Sequence, residues 1–432
     1  MIRLVPTTAH PVSSRLSSRH ENQNSGGITM NIVNQKAESF VVAQDLVEKA
    51  REVIPYLREK SDEANSLRRP PEDVRKMMKS SGFSRLWMPR RFGGAEGPLR
   101  AGCDMLRTLA HGCGSTAWIT VQNALHNLML ANWPVEAQEE IWGTTPDVLV
   151  SGILIPGIGK AAKVDGGYKL SGRWPFVSGV EVADWIIFTG NCTDEDGTVH
   201  ELHFVIPKAD IEVLDTWYTI GLKASSSQDV KLNDVFVPEH RTVVEEALKG
   251  GADCPAAKLY DGVCYKVPPY SIFGCFIGSA ALGISEAAVD YYISGARKRV
   301  ATMANGKNIA SYTTQQVKVA EAQSAVIAAR QLIYSILGDA EQLAESGAGT
   351  TEEDRTRFRA LTAYANKLAD SAGATVLEAG GGGVIYERNP VSRCISDLTV
   401  TNRHITQNWD VNGSTYGRAL LGLPIESPML ED

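Results

Sequence analysis

Two histidines and two serines in this 432-residue chain stand where side chains of their type could do chemistry. His404 lies in Asn402-Arg403-His404-Ile405-Thr406-Gln407-Asn408-Trp409-Asp410, a run unusually polar for a segment that closes a helical region. Polar side chains on successive turns suit a lined cavity, where His404 gives or takes a proton near neutral pH, or else a solvated helix face. His126 sits in the otherwise apolar Ala124-Leu125-His126-Asn127-Leu128-Met129-Leu130, where a satisfied core histidine is the default. Ser151 and Ser178 each precede a glycine. A hydroxyl or backbone N–H at a strand end can bond the edge of a flat heteroaromatic ring, although such a serine more often closes a turn. Trp118, Trp174, Phe176 and Trp185 could stack on that ring or fill a core. Gly380-Gly381-Gly382-Gly383 can expose backbone to a phosphate or another chain, or simply join two helices.

The elements that must position these residues change character along the chain. Tyr168-Lys169-Leu170, Trp185-Ile186-Ile187-Phe188, His203-Phe204-Val205-Ile206 and Val235-Phe236-Val237 read as strands, separated by turn clusters such as Asp165-Gly166-Gly167 and Asp194-Glu195-Asp196-Gly197. On both sides the period is helical. Leu46, Ala50, Val53 and Leu57 form a stripe that Pro55 should kink, Pro71 suits the first turn of a helix ended by Gly82, and helices follow at about Leu99 to Ala110 and after Gly114-Ser115. Beyond a linker at Gly250 to Pro269, one helical face carries Ile277, Ala281, Ile284, Ala288 and Tyr291. Val319, Val326, Ile333 and Leu337 form a second face, and Phe358, Leu361, Ala365, Leu368, Ala372 and Val376 a third. A final helical run leads to Asp410. The expected architecture is α+β: a disordered extension at 1–35, an N-terminal helical domain at 36–147, a β-barrel-like domain at 148–250 and an antiparallel four-helix bundle at 251–432.

Composition narrows the function classes. The formal net charge of −7 argues against a nucleic-acid surface. No stretch approaches ~20 uninterrupted apolar residues, which argues against a membrane span. The seven cysteines form no C-x-x-C pair and read as reduced thiols, pointing to a cytoplasmic protein. No P-loop, strand-borne G-x-G-x-x-G or G-x-S-x-G occurs, so neither the reductase chemistry of a nicotinamide site nor a serine hydrolase is expected. His200 and His203 lie three apart on a strand and point to opposite faces, so a shared metal is not expected, nor is any other His/Cys/carboxylate cluster. The first 35 residues are rich in Ser, Thr, Asn and Arg with no acid before Glu21, which fits a transit peptide or a disordered extension; the latter is the reading adopted, with Met30 a candidate working start.

From about residue 40 to 425 the chain resembles the acyl-CoA dehydrogenase superfold. Gly221 to Val230, with Asn233-Asp234-Val235-Phe236-Val237-Pro238, is similar to that family's flavin-domain segment, and Gly380 to Pro390 to its Gly-rich turn and Glu-x-x-Pro run. The family's Arg-Asp pair appears as Ser396-Asp397. Eight residues beyond that Asp, where medium-chain dehydrogenases carry their catalytic carboxylate, stands Ile405, which cannot be a base. Trp118 with His126 eight residues on, Ser151, Trp174-x-Phe176-x-Ser178-Gly179, His404, Asp410 and Tyr416-Gly417-Arg418-Ala419-Leu420-Leu421-Gly422 resemble more closely the oxygenase components of two-component (group D) flavin monooxygenases of the p-hydroxyphenylacetate hydroxylase type. The resemblance implies reduced flavin (FADH2 or FMNH2) supplied by a separate NAD(P)H:flavin reductase, O2 as co-substrate, and OH transfer from a flavin 4a-hydroperoxide to a small phenol- or indole-type aromatic. It implies that Ser178 bonds the flavin ring, His404 helps form or hold the hydroperoxide, His126 and Ser151 contact the substrate hydroxyl, and His126 acts as base. It further implies that Trp118, Trp174 and Asp410 border the cofactor, that Gly381 and Gly382 admit flavin or a neighbouring subunit, and that the protein is a homotetramer. The alternatives are an FAD-dependent acyl-CoA dehydrogenase, an S- or N-oxygenase of the same fold, and a non-catalytic helical scaffold.

Overall fold

Two helices decide the architecture because they have no polar face to turn outward. Every residue of α5 (Gly114–Leu130) is buried, and α8 (Pro269–Lys298) is buried along nearly its whole length. A helix apolar all round belongs in the interior, with other elements wrapped about it. The computed structural model describes residues 41–251, 253–301, 306–427 and 430. The expected disordered extension at 1–35 lies outside the described residues.

The N-terminal helices α1 (residues 41–52), α2 (Ile54–Leu67), α3 (Glu72–Ser81), α4 (Leu99–Ala110) and α6 (Val135–Trp142) share a core with α5, and α4 packs directly on it. The stripe expected to kink at Pro55 breaks at Val53, and Pro55 lies in the first turn of α2. Gly82, at φ 82°, ends α3 in the left-handed conformation that glycine adopts at no steric cost. Around α8 pack α9 (Thr313–Ser346), α10 (Glu352–Gly380) and α11 (Pro390–Thr401), with α12 (Trp409–Leu420) against α10. Both helical regions contribute to one hydrophobic core running from Ala43 to Leu398.

Between them in sequence lies an eight-stranded sheet: β1 (Val150–Ile153), β2 (Lys160–Val164), β3 (Gly167–Val177), β4 (Trp185–Thr193), β5 (Val199–Pro207), β6 (Glu212–Leu214), β7 (Gln228–Pro238) and β8 (Thr242–Val244). The strand order is β6-β7-β3-β2-β4-β5-β8, with β1 paired parallel to β4. Leu170, Trp174, Phe188, Phe204 and Val230 form its separate small core. Side chains tie this sheet to the helices. The Arg68 guanidinium grips both oxygens of Asp215, at 2.7 and 3.0 Å, and the buried Asp397 on α11 accepts the Leu222 N–H at 2.6 Å.

Two local expectations change. The linker at Gly250 to Pro269 contains a short helix, α7 (Pro255–Leu259), opened by Pro255. The final helical run is two helices, not one. The chain turns a corner after Thr401, His404 caps a 3-10 turn over Ile405–Gln407, and Asp410 falls in the first turn of α12.

Candidate active site

Trp118, one turn into α5, joins three parts of the chain. Its indole N–H donates to Ser178 Oγ at 3.0 Å, just past the end of β3, and its ring meets His404 edge-on at 5.8 Å between centroids. Ser178 Oγ also bonds Ser227 Oγ at 2.8 Å, and Ser227 Oγ bonds Ser225 Oγ at 2.8 Å. That serine loop is held in shape by two left-handed residues, Leu222 (φ 47°) and Ser226 (φ 49°), with Asp397 anchoring the Leu222 N–H.

Two turns further along α5 stands His126, 1% exposed. Its Nδ1 lies 3.3 Å from the Val150 carbonyl, which can only accept, so Nδ1 carries the proton and Nε2 is a bare acceptor. Burial pushes its pKa down to about 4, leaving the ring neutral at physiological pH. Gly152 makes room for it, since a Cβ there would come within 2.8 Å of Nε2. Next along β1, the Ser151 hydroxyl is buried without a partner, and a Cβ on Gly179 would come within 3.2 Å of it. The strand end bearing Ser151 therefore abuts the one bearing Ser178. The Phe273 ring, on α8, closes in at 6.4 Å from His126.

His404 is set the other way round. The Thr406 backbone N–H donates to its Nδ1 at 3.3 Å, so the neutral ring carries its proton on Nε2. Burial, and then the charge of Arg359, pushes its pKa down to about 4. One site thus holds a neutral imidazole able to accept a proton and a neutral imidazole able to donate one. Among the groups acting on His404 there is no carboxylate.

Comparison with known proteins decides what such a site belongs to. Residues 42–144 match the family described as acyl-CoA dehydrogenase, N-terminal domain, and residues 275–409 the acyl-CoA dehydrogenase, C-terminal domain. The oxygenase subunit HsaA of a flavin-dependent monooxygenase from Rhodococcus jostii (strain RHA1) is 30% identical over 378 residues, covering 88% of this chain and 98% of that protein. The oxygenase component of p-hydroxyphenylacetate 3-hydroxylase from Acinetobacter baumannii is 28% identical, covering 89% and 91%. The crystal structure of 3-HSA hydroxylase from Rhodococcus sp. RHA1 superposes with a TM-score of 0.84 at 30% identity, covering 89% and 98%. The chain is an oxygenase component of the flavin-dependent monooxygenases.

Within this oxygenase, the expected site residues divide. Trp118, His126, Ser151, Ser178 and His404 come together as described. Trp174 does not join them. It is fully buried in the core of the sheet, its N–H donating to the Thr189 carbonyl at 3.0 Å and its ring 4.8 Å from Phe188, so it has no face to offer a cofactor. A bulge between Trp174 and Val177 turns out Phe176 instead, 58% exposed at φ 63° and two residues before Ser178. An aromatic residue held in the left-handed region is costly, and such strain gathers at ligand sites. Asp410 is exposed, and among the described residues no hydrogen bond or ring contact links Asp410, Gly381 or Gly382 to Trp118, Ser178 or His404. At Gly382 a Cβ would meet nothing within 4 Å, so no contact inside this chain demands glycine there.

The residues fit a flavin by donor chemistry: Ser178 and the orphaned Ser151 hydroxyl face one interior, beside an exposed aromatic. A second polar cluster escaped sequence reasoning. Glu201, His203 and Glu245 present ligand atoms within 4.8 Å of one another, a spacing compatible with a metal ion. His203 Nε2 bonds Glu245, which also accepts from the Tyr270 hydroxyl at 3.2 Å. His200 and His203 do point apart, and His200 pairs with Asp194 at 2.8 Å; the missing signal was Glu245, 42 residues from His203 in sequence.

Proposed function

We propose that this oxygenase hydroxylates a small phenol- or indole-type aromatic, using reduced flavin delivered by a separate NAD(P)H:flavin reductase. The observation that carries this reading is His126 Nε2, a buried unprotonated acceptor against Gly152, the next residue on β1 to the orphaned Ser151 hydroxyl. A phenol O–H or indole N–H placed there donates to Nε2, and partial loss of its proton raises electron density on the ring carbons that must attack oxygen. Bound reduced flavin supplies the electrons that activate O2, so that one oxygen atom enters the ring and the other leaves as water. Ser178, Trp118 and Phe176 are the residues that would hold and orient the flavin. Ser178 Oγ accepts from Trp118 and bonds Ser227 Oγ; with Ser227 as the donor of that bond, the Ser178 proton is left to give to a ring acceptor. His404, with Nε2–H, would donate a proton where oxygen is handled, and the surrounding buried wall would exclude water. The dehydrogenase reading lacks a base: Ile405, in the position of the family carboxylate, is apolar and 56% exposed. Oxygenation at sulfur would leave His126 without a role.

We place the protein in the cytoplasm as a homotetramer, by analogy with the fold family. Ile405, Trp409, Val411, Leu420 and Leu421 are exposed apolar side chains around the last corner and α12, a surface suited to burial against another copy.

The test is anaerobic protein and reduced FMN or FADH2, mixed with oxygenated buffer and a panel of phenols and indoles. Hydroxylated product with suppressed release of hydrogen peroxide supports the reading. Tight oxidised FAD that an acyl thioester reduces would overturn it.

A further inference from the structure

The first turns of α10 carry three arginines, and their surroundings differ. Arg355 donates to the backbone carbonyls of Leu430 and Thr350, each at 2.8 Å. Arg357 pairs with Asp339 at 2.9 Å and with Asp354 at 3.1 Å. Arg359 is 8% exposed, yet no carboxylate among the described residues lies within ion-pair distance of it. Its Nη1 makes one long contact, 3.4 Å, to the Tyr270 carbonyl, and its Nε has no partner. A guanidinium has five N–H donors and never gives up its charge in the physiological range. Buried with one weak bond, it is a cation lacking an anion.

Its position says where that anion would lie. Tyr270 is in the first turn of α8, and Phe273, one turn on, is the residue whose ring faces His126. One turn after Arg359, Thr362 faces Gly274, where a Cβ would come within 3.2 Å of Thr406 on the His404 corner. Gln407, beside Thr406, likewise buries an Oε1 without a partner. Arg359 therefore belongs to the wall that α8 and α10 share with His126 and His404. The surface of Ser178 and Phe176 lies on the sheet instead.

We infer that Arg359 binds a carboxylate carried by the aromatic substrate, orienting the ring so that its hydroxyl or N–H meets His126 and Ser151. This rests on the monooxygenase reading above. The planar fork of arginine matches a carboxylate with two parallel bonds, so both charge and ring orientation are set at one point. The same anion chemistry could come from the reduced flavin, and the experiment separates the two.

The probes are hydroxyaryl carboxylic acids with side chains of zero to three carbons, each matched with its primary amide. Binding is measured by anaerobic calorimetry on the full-length protein with reduced flavin present, alongside reduced-flavin affinity without probe. For at least one chain length the acid is expected to bind about 10-fold or more tighter than its amide. Arg359→Met should bring the two within about twofold and leave amide and reduced-flavin affinities unchanged, with Arg359→Lys intermediate. Met removes a buried charge at similar length, so folding is expected to survive, and the Lys variant keeps the test informative if it does not. No acid preferred over its amide, or an unchanged preference in Arg359→Met, overturns the inference. Loss of reduced-flavin affinity with the preference intact assigns the anion to the flavin and also overturns it. An unmodified protein that neither binds reduced flavin nor hydroxylates any phenol would remove the monooxygenase reading beneath it.

Discussion

At His126 the Val150 carbonyl and the apolar surroundings act in the same direction, one fixing the proton on Nδ1 and the other keeping the ring uncharged. The folded pKa of about 4 lies below the ordinary 6.5. Below pH 6.5 the unfolded chain therefore takes up a proton that the folded one refuses, and stability falls until about pH 4. The shift is worth roughly 3 kcal/mol at most. His126→Gln should flatten that limb of a thermal-midpoint-against-pH curve and, as loss of a general base, slow phenol hydroxylation about 10²-fold or more. At Ser178 the expectation is different. Ser178→Ala leaves the Trp118 N–H and the Ser227 hydroxyl short of a buried partner, costing about 1–3 kcal/mol. It should also raise peroxide release per flavin oxidised severalfold while leaving phenol affinity unchanged; unchanged coupling would remove Ser178 from the flavin side. The family resemblance named five of the residues that converge here; taken singly, His126 reads as a core histidine and Ser151 and Ser178 as turn serines. The resemblance set Trp174 at the cofactor, and the sequence offered Phe176 only as one of four aromatics that could stack on a ring or fill a core, because which of two neighbouring aromatics faces outward depends on a bulge, and a bulge leaves no mark on an alternating pattern. Arg359 was unreadable for a similar reason: Arg355 and Arg359, four apart on α10, both turn inward, and only packing says that Arg359 meets no carboxylate there.

Among the helices, α4 and α8 approach each other closely. A Cβ at Gly283 would lie 2.1 Å from the Arg107 carbonyl oxygen, a backbone atom that cannot move without its helix. Gly283→Ala should destabilise by about 1–3 kcal/mol, seen in thermal or urea unfolding, even though alanine favours helix. The α11-to-sheet link carries a distinct pH signature. Burial raises Asp397 from 3.8 to about 6 despite the Leu222 N–H it accepts. Between those values the folded state binds more protons than the unfolded one, so this group's contribution falls as pH rises through 6. Asp397→Asn should therefore stabilise the protein at pH 7 to 8 and abolish that slope; a less stable Asn variant at pH 8 would refute the assignment. Helix positions were legible from period alone, Leu99–Ala110 to the residue, because a sustained apolar stripe has one helical reading. The corner at His404 was not, since its polar run carries no glycine or proline to mark the break, and a side-chain cap makes it.

Across the whole molecule, the site is built from segments far apart in sequence: α5, two strand ends, the start of α8, the middle of the chain at Ser225 to Ser227, and the corner after α11. The exposed apolar surface near α12 gives the assembly prediction. Trp409, in ring contact with Tyr364 at 5.3 Å, stands at its edge. Trp409→Glu is expected to convert the proposed tetramer to smaller species in light scattering without loss of helix content. A monomeric unmodified protein would leave that surface to another partner. The helix at the centre has a consequence for how the chain is made. α8 is long and apolar enough to cross a membrane, with a mean hydropathy of 1.7 over a window 94% buried in the finished protein. On the ribosome it emerges before α9 and α10, which cover it. For the time needed to synthesise the chain from Arg299 to Gly380, the nascent chain displays what looks to targeting and quality-control machinery like a membrane anchor. Slowing translation between Thr313 and Gly380 should therefore increase chaperone association and aggregation more than slowing it anywhere upstream of Pro269.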